Sequence, residues 1–291
     1  MKRVLILVVA FAFAWGASAQ KTLSYEGADE TVRLWDNSTA KNSNYETRDE
    51  KWRRKNSLCQ TSSCELYIFK AAEGKNTGAA VVIYPGGGYI NANLRISLAQ
   101  WYASQGITAA IVKYRLPNGG HNEATLEDAV GAVRYLRTRT DLGIDPAKVG
   151  VSGSSAGGHL ATWVSNALPD GEKPAFTIAH YGWVDAENSN TPATQNGLIN
   201  ILGKGYTLQD TRDISTYLMV NKQTPPTLLL LCDDDSVVSP DGAARYYEAL
   251  VRYGVKASMH IYPFGGHSVG KHTPEYHFAI IDFLKYIGII E

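Results

Sequence analysis

Short apolar runs alternate along this chain with longer stretches in which apolar residues recur every three or four positions. The runs at 66–69, 79–84 (AAVVIY), 108–114 (TAAIVKY), 149–152, 176–182, 227–232 (TLLLLC) and 257–262 (ASMHIY) read as strands. Segments such as VVIY and LLLL have no polar face, so these strands are expected to be covered on both sides. Helical spacing is found over 94–105, 124–140, 156–168, 242–253 and 274–287; in the second of these Leu126, Ala129, Val130, Val133 and Leu136 share one stripe. Such alternation predicts the α/β class, with a mostly parallel central sheet, right-handed crossovers and helices on both faces.

The opening residues follow a different pattern. Lys2 and Arg3 precede an apolar run from Val4 to Trp15, and Ala17-Ser18-Ala19 offers a small-residue cleavage site before Gln20. This is the pattern of a secretory signal peptide over 1–19, and the run is shorter than the ~20 residues a membrane span needs. The expectation is a secreted or periplasmic protein that keeps no membrane attachment after cleavage. Residues 20–65 are charged and weakly patterned, and read as an N-terminal arm packed on a main domain at 66–291. Within that domain, 185–224 is polar and irregular, either a small lid or a long connection with a helix or two.

Charge narrows the partners. With 28 basic and 28 acidic residues the chain is formally neutral, which argues against nucleic acid or an anionic membrane and favours a small neutral substrate. Of three cysteines, Cys59 and Cys64 flank a short polar loop, and an exported chain can oxidise such a pair. A disulfide there is the expectation, with two free thiols as the alternative. Cys232 lies in an apolar run and reads as a small buried residue. No C-x-x-C or H-E-x-x-H spacing is present, so neither metal nor cofactor is expected.

Three stretches carry chemistry. Gly153-Ser154-Ser155-Ala156-Gly157 fits G-x-S-x-G between a strand and a helix, where a serine in a strained turn needs small neighbours and a helix N-terminus aims N–H groups at a developing anion. Ser155 is the candidate nucleophile. The glycines of Pro85-Gly86-Gly87-Gly88-Tyr89 let a backbone approach a ligand closely; Gly87 and Gly88, with Ala156, are the candidate oxyanion donors. A serine hydroxyl also needs a base held in one tautomer by an acid. Asp233-Asp234-Asp235 follows one late strand and Gly265-Gly266-His267 follows the last. His267 is the preferred base among seven histidines. Asp235 is preferred to its two neighbours as the acid because it opens an Asp-x-x-Val run, in which Val238 can pack inward. Tyr89, Tyr181, His121 and Trp183 are candidates for substrate contact. Asp128 is expected to order the loop around Arg115.

The motifs PGGGY, KYRLP, LEDA, GSSAGGHLA, DDDSVV and GGHSVG occur in an order that resembles α/β-hydrolase serine esterases, most closely the bacterial acetyl esterases and acetyl xylan esterases related to the hormone-sensitive-lipase group. The resemblance spans most of the chain after residue 19, and Val32-Arg33-Leu34-Trp35 extends it into the arm. It implies an α/β-hydrolase fold, a triad of Ser155, Asp235 and His267, an oxyanion hole from Gly87, Gly88 and Ala156, and a short acyl ester such as an acetylated plant oligosaccharide as substrate. Two departures stand out. Pro85 occupies a place where the lipase group has histidine, and Pro117-Asn118-Gly119-Gly120-His121 replaces the Ala-Pro-Glu that follows Tyr-Arg-Leu there. The same machinery would also serve a feruloyl esterase or a serine exopeptidase, and a non-catalytic binding protein of this fold is a third alternative.

Overall fold

The computed structural model describes residues 27–291; the signal-peptide expectation lies outside them. Eleven strands are present among these residues: β1 (Glu30–Asp36), β2 (Lys51–Arg54), β3 (Ser57–Cys59), β4 (Ser63–Phe69), β5 (Ala80–Tyr84), β6 (Ala92–Asn93), β7 (Thr108–Lys113), β8 (Val149–Ser154), β9 (Thr177–His180), β10 (Thr227–Cys232) and β11 (Ala257–Tyr262). Eight of them form one sheet in the order β1-β4-β7-β5-β8-β9-β10-β11. Pairings from β7 through β11 are parallel, while β1 and β4 join antiparallel at one end.

Strand residues alternate between two cores, as the two-residue period of a pleated strand requires. Val81 and Ile83 of β5 pack in one cluster with Leu98 and Tyr102 of α1 (Ile96–Ser104) and Ile280 and Phe283 of α7 (Glu275–Tyr286). Ala80, Val82 and Tyr84 enter the other, with Ala132 and Val133 of α2 (Asn122–Thr138) and Leu160 and Val164 of α3 (Ala156–Ala167). The doubly covered parallel sheet read from the apolar runs is present.

Several features could not be read from the runs. Glu30–Asp36, within the weakly patterned arm, is an edge strand of the main sheet paired with β4. A second, three-stranded sheet, β2-β3-β6, lies outside it. Residues 185–224 carry α4 (Pro192–Leu202) and α5 (Leu208–Asp213), each opened by a threonine capping box. The remaining helix, α6 (Pro240–Arg252), starts with proline at its first position behind the Ser239 cap.

The expected disulfide is absent. Cys59 and Cys64 are free thiols because they belong to different layers. Cys59 ends β3 of the small sheet, whereas Cys64 points into the second core beneath Asp128. Asp128 itself is buried and bonds Arg115 through the backbone N–H, Nε and Nη2. The Trp35 indole of β1 donates to the same carboxylate, which fastens the arm to α2.

Candidate active site

The carboxyl ends of β5, β8, β9, β10 and β11 open onto one cavity of about 300 Å³, lined by Gly86–Gly88, Ser155, Ala156, Tyr181, Trp183, Val238 and His267 among others. Parallel sheets place their sites at this edge because every strand there hands its chain to a loop on the same side.

Ser155 sits between β8 and α3 with φ 55° and ψ −121°, a left-handed conformation that costs a non-glycine residue about 1–3 kcal/mol. The close crossing around it explains the flanking glycines. A Cβ on Gly153 would stand 2.0 Å from the Gly157 carbonyl oxygen, and one on Gly157 would stand 2.0 Å from that of Tyr84. Although Ser155 occupies the N-cap of α3, its side chain caps nothing. The hydroxyl turns to the His267 Nε2 instead, 2.7 Å away.

His267 Nδ1 lies 2.7 Å from Asp235 Oδ2. A carboxylate can only accept, so Nδ1 carries the proton and Nε2 is left as the acceptor for the serine O–H. Asp235 Oδ1 accepts from the backbone N–H groups of Val237 and Val238 at 2.9 and 3.0 Å, and the residue is 8% exposed. One oxygen is anchored and the other faces the imidazole. The neighbouring aspartates have no part in this arrangement. Asp234 accepts from the Gly266 N–H at 2.7 Å, which ties down the histidine loop and holds its own carboxyl below the usual range. Tyr181 sets its ring against the His267 imidazole, with centroids 4.8 Å apart.

Gly87, Gly88 and Ala156 line the cavity beside the serine. Among the described residues, none of their three N–H groups donates to a loop carbonyl, and that of Ala156 is an orphan donor at a helix start. Asn200 Nδ2 holds the Gly88 carbonyl at 2.9 Å, and Gly86 bridges to Asn93 of β6.

Of the other sequence candidates, Trp183 and Tyr181 line the cavity but Tyr89 and His121 do not. Tyr89 has φ 59° and is 1% exposed, with its hydroxyl 2.6 Å from His159 Nδ1. The reversed backbone drives the ring under the glycine loop rather than over the cavity. His121 donates its N–H to the Pro117 carbonyl at the start of α2, and its ring rests on Tyr45. Neither, therefore, is a wall of the triad cavity; Tyr89 lines a second hollow on the far side of the glycine loop. Asn93, Arg95 and Thr194 line the cavity without a sequence signal. Arg95 donates to the Tyr181 hydroxyl at 3.0 Å.

Two buried imidazoles stand behind the site. His159 Nε2 is 2.8 Å from the Ile214 carbonyl, so Nε2 carries the proton and Nδ1 accepts from Tyr89. Burial lowers its pKa to about 4. His180, at the end of β9, is lowered to about 3 by burial with a smaller contribution from Arg95. Among the described residues no group of histidines, cysteines and carboxylates is arranged to hold a metal.

Residues 95–287 match the model of the prolyl oligopeptidase family. An acetylxylan esterase of Xylanibacter ruminicola is 33% identical over 204 residues, which cover 67% of this chain and 42% of that protein. An ethyl acetate hydrolase of Pseudomonas putida is 27% identical over 212 residues, 64% of each chain. The chain thus spans less than two thirds of either relative. Among solved structures, an acetyl ester-xyloside bifunctional hydrolase from Caldicellulosiruptor lactoaceticus superposes with a TM-score of 0.72 at 28% identity, over 79% of this chain and 90% of that one.

Proposed function

This chain belongs to the prolyl oligopeptidase family and has the α/β-hydrolase fold, and from that premise we propose that it is a serine carboxylesterase cleaving short acyl esters. Acetylated xylan oligosaccharides are the proposed substrates. The observation that carries the proposal is the pair of 2.7 Å contacts that link Asp235, His267 and Ser155 at the wall of a small cavity. The names of the relatives, an acetylxylan esterase and an ethyl acetate hydrolase, point the same way.

In the proposed reaction the Ser155 oxygen attacks the ester carbonyl carbon as its proton passes to His267 Nε2. Asp235 stabilises the imidazolium without taking the proton. Negative charge gathers on the carbonyl oxygen, where the N–H groups of Gly87, Gly88 and Ala156 are the proposed donors; one such donor is worth about 10²–10³ in rate. His267 returns the proton to the leaving alkoxide. Water, deprotonated by the same nitrogen, then attacks the acyl-serine and releases the acid.

The cavity at Ser155 is small, about 300 Å³, and the Tyr181 and Trp183 rings are part of its wall, which favours a short acyl group over long chains. Export, read from residues 1–19, would bring the protein to an extracellular glycan. Because the family is named for peptidases, the deciding experiment sets p-nitrophenyl acetate, longer p-nitrophenyl esters and a dipeptide amide side by side. Acetate release with little turnover of the others supports the proposal. Preferential amide cleavage, or no hydrolysis by folded protein, sinks it.

A further inference from the structure

A second cavity of about 300 Å³ adjoins the first across the glycine loop, and nothing in the proposed reaction uses it. The two are joined through one contact. Gly88 lines the triad cavity, while Asn200, which grips the Gly88 carbonyl at 2.9 Å, lines the second cavity together with Tyr89 and Ile90. The glycine loop thus stands between the two cavities, with Gly88 lining one and the next residue, Tyr89, lining the other.

The second lining is rich in amides: Asn44, Gln60, Asn118 and Asn200. Amide side chains both donate and accept, as sugar hydroxyls do. Two of them have spare capacity. Asn118 and Asn200 each donate through Nδ2, to the carbonyls of Asn44 and Gly88, and among the described residues neither Oδ1 accepts a hydrogen bond. Charge in the lining is nearly balanced, because Arg48 is paired with Glu46. Arg53 keeps its guanidinium exposed and donates from Nη1 to Asn91 Oδ1 at 3.1 Å. Beside the lining residues Asn44 and Glu46, Tyr45 turns outward on a φ of 53° and is 69% exposed, with its ring supported by His121 at 4.7 Å. An exposed flat ring beside an amide-lined hollow suits a pyranose, whose C–H face covers the ring while its hydroxyls meet the amides.

We propose that this second cavity is a saccharide subsite that holds neutral pyranose units of the substrate while their acyl group sits at Ser155. The inference rests on the esterase reading and names where its glycan runs. Its test is separable from that reading. Unacetylated xylohexaose titrated calorimetrically into the full-length Ser155→Ala protein is expected to bind, and Tyr45→Ala or Arg53→Ala added to it is expected to weaken binding about tenfold, the loss of one or two contacts. In the catalytically intact protein, the same two substitutions are expected to lower kcat/KM on acetylated xylotetraose about tenfold relative to kcat/KM on p-nitrophenyl acetate. No binding of xylohexaose, or equal binding and an equal ratio in all variants, overturns the subsite even if p-nitrophenyl acetate is hydrolysed well. Failure on p-nitrophenyl acetate itself counts against the esterase instead.

Discussion

His267 Nε2 and the Ser155 hydroxyl are 112 residues apart along the chain and 2.7 Å apart in space. Neither residue type is unusual, and the turn at Ser155 and the loop at His267 make the contact only because β8 and β11 lie in one parallel array. On the proposed mechanism, Ser155→Ala lowers kcat by something on the order of 10⁶ while the protein stays folded. Steady-state hydrolysis of p-nitrophenyl acetate with circular dichroism as the control measures it. Near-normal turnover would remove the serine from the chemistry.

The three adjacent aspartates can be separated. Asp235→Asn keeps the shape but loses the tautomer, and is expected to reduce kcat about 10⁴-fold. Asp234→Ala removes only the exposed anchor on the Gly266 N–H, so a loss under about tenfold is expected. Reversed sensitivities in the same assay would assign the acid to Asp234.

Acid should destabilise the protein through its two buried imidazoles. His159 and His180 have folded-state values near 4 and 3, below the ordinary 6.5, so the unfolded chain binds more protons as pH falls below 6.5. Their contribution is fully present above pH 6.5 and is lost on acidification toward those values, at up to about 1.4 kcal/mol per pH unit for each. Urea midpoints at pH 7 and pH 5 measure the loss. Proton NMR should show both imidazoles untitrated between pH 8 and 5; titration of either near 6.5 contradicts its burial.

Asp128→Ala should cost up to about 3–5 kcal/mol, since it takes from the buried Arg115 guanidinium its closest carboxylate and leaves only the longer 3.2 Å pair with Glu127. The double variant Asp128→Leu with Arg115→Met is expected to recover part of that in urea denaturation. If the single change costs less than ~1 kcal/mol, the pair is not what fastens the arm.

Alkylation in denaturant without reductant should label all three cysteines, because Cys59 and Cys64 are unbonded. A mass showing one labelled thiol would restore the disulfide.

Much of this architecture is legible in the chain because parallel strands leave unbroken apolar runs, and the groups brought together at Ser155 follow directly on such runs. The order serine, aspartate, histidine needed only strand ends and small-residue turns. Tyr89 failed for a local reason: a positive φ reverses the direction of a side chain, and nothing in the letters reports that sign. Arg95 and Thr194 were missed for a global one. They come from the segment before α1 and from α4, and reach the cavity only through tertiary crossings. Cys59 and Cys64 looked paired because sequence distance is silent about the boundary between two sheets. Nothing in the periodicity marked Glu30–Asp36, half-buried along its length, as part of the main sheet.

The imidazole hangs from β11, the outermost strand at one end of the large sheet, with residues only partly covered along its length. A border strand has a neighbour on one side alone and frays before the interior does. Gentle heat or dilute denaturant should therefore silence turnover while the bulk of the protein is still intact, which makes lost activity an early alarm for damage that spectroscopy has yet to register.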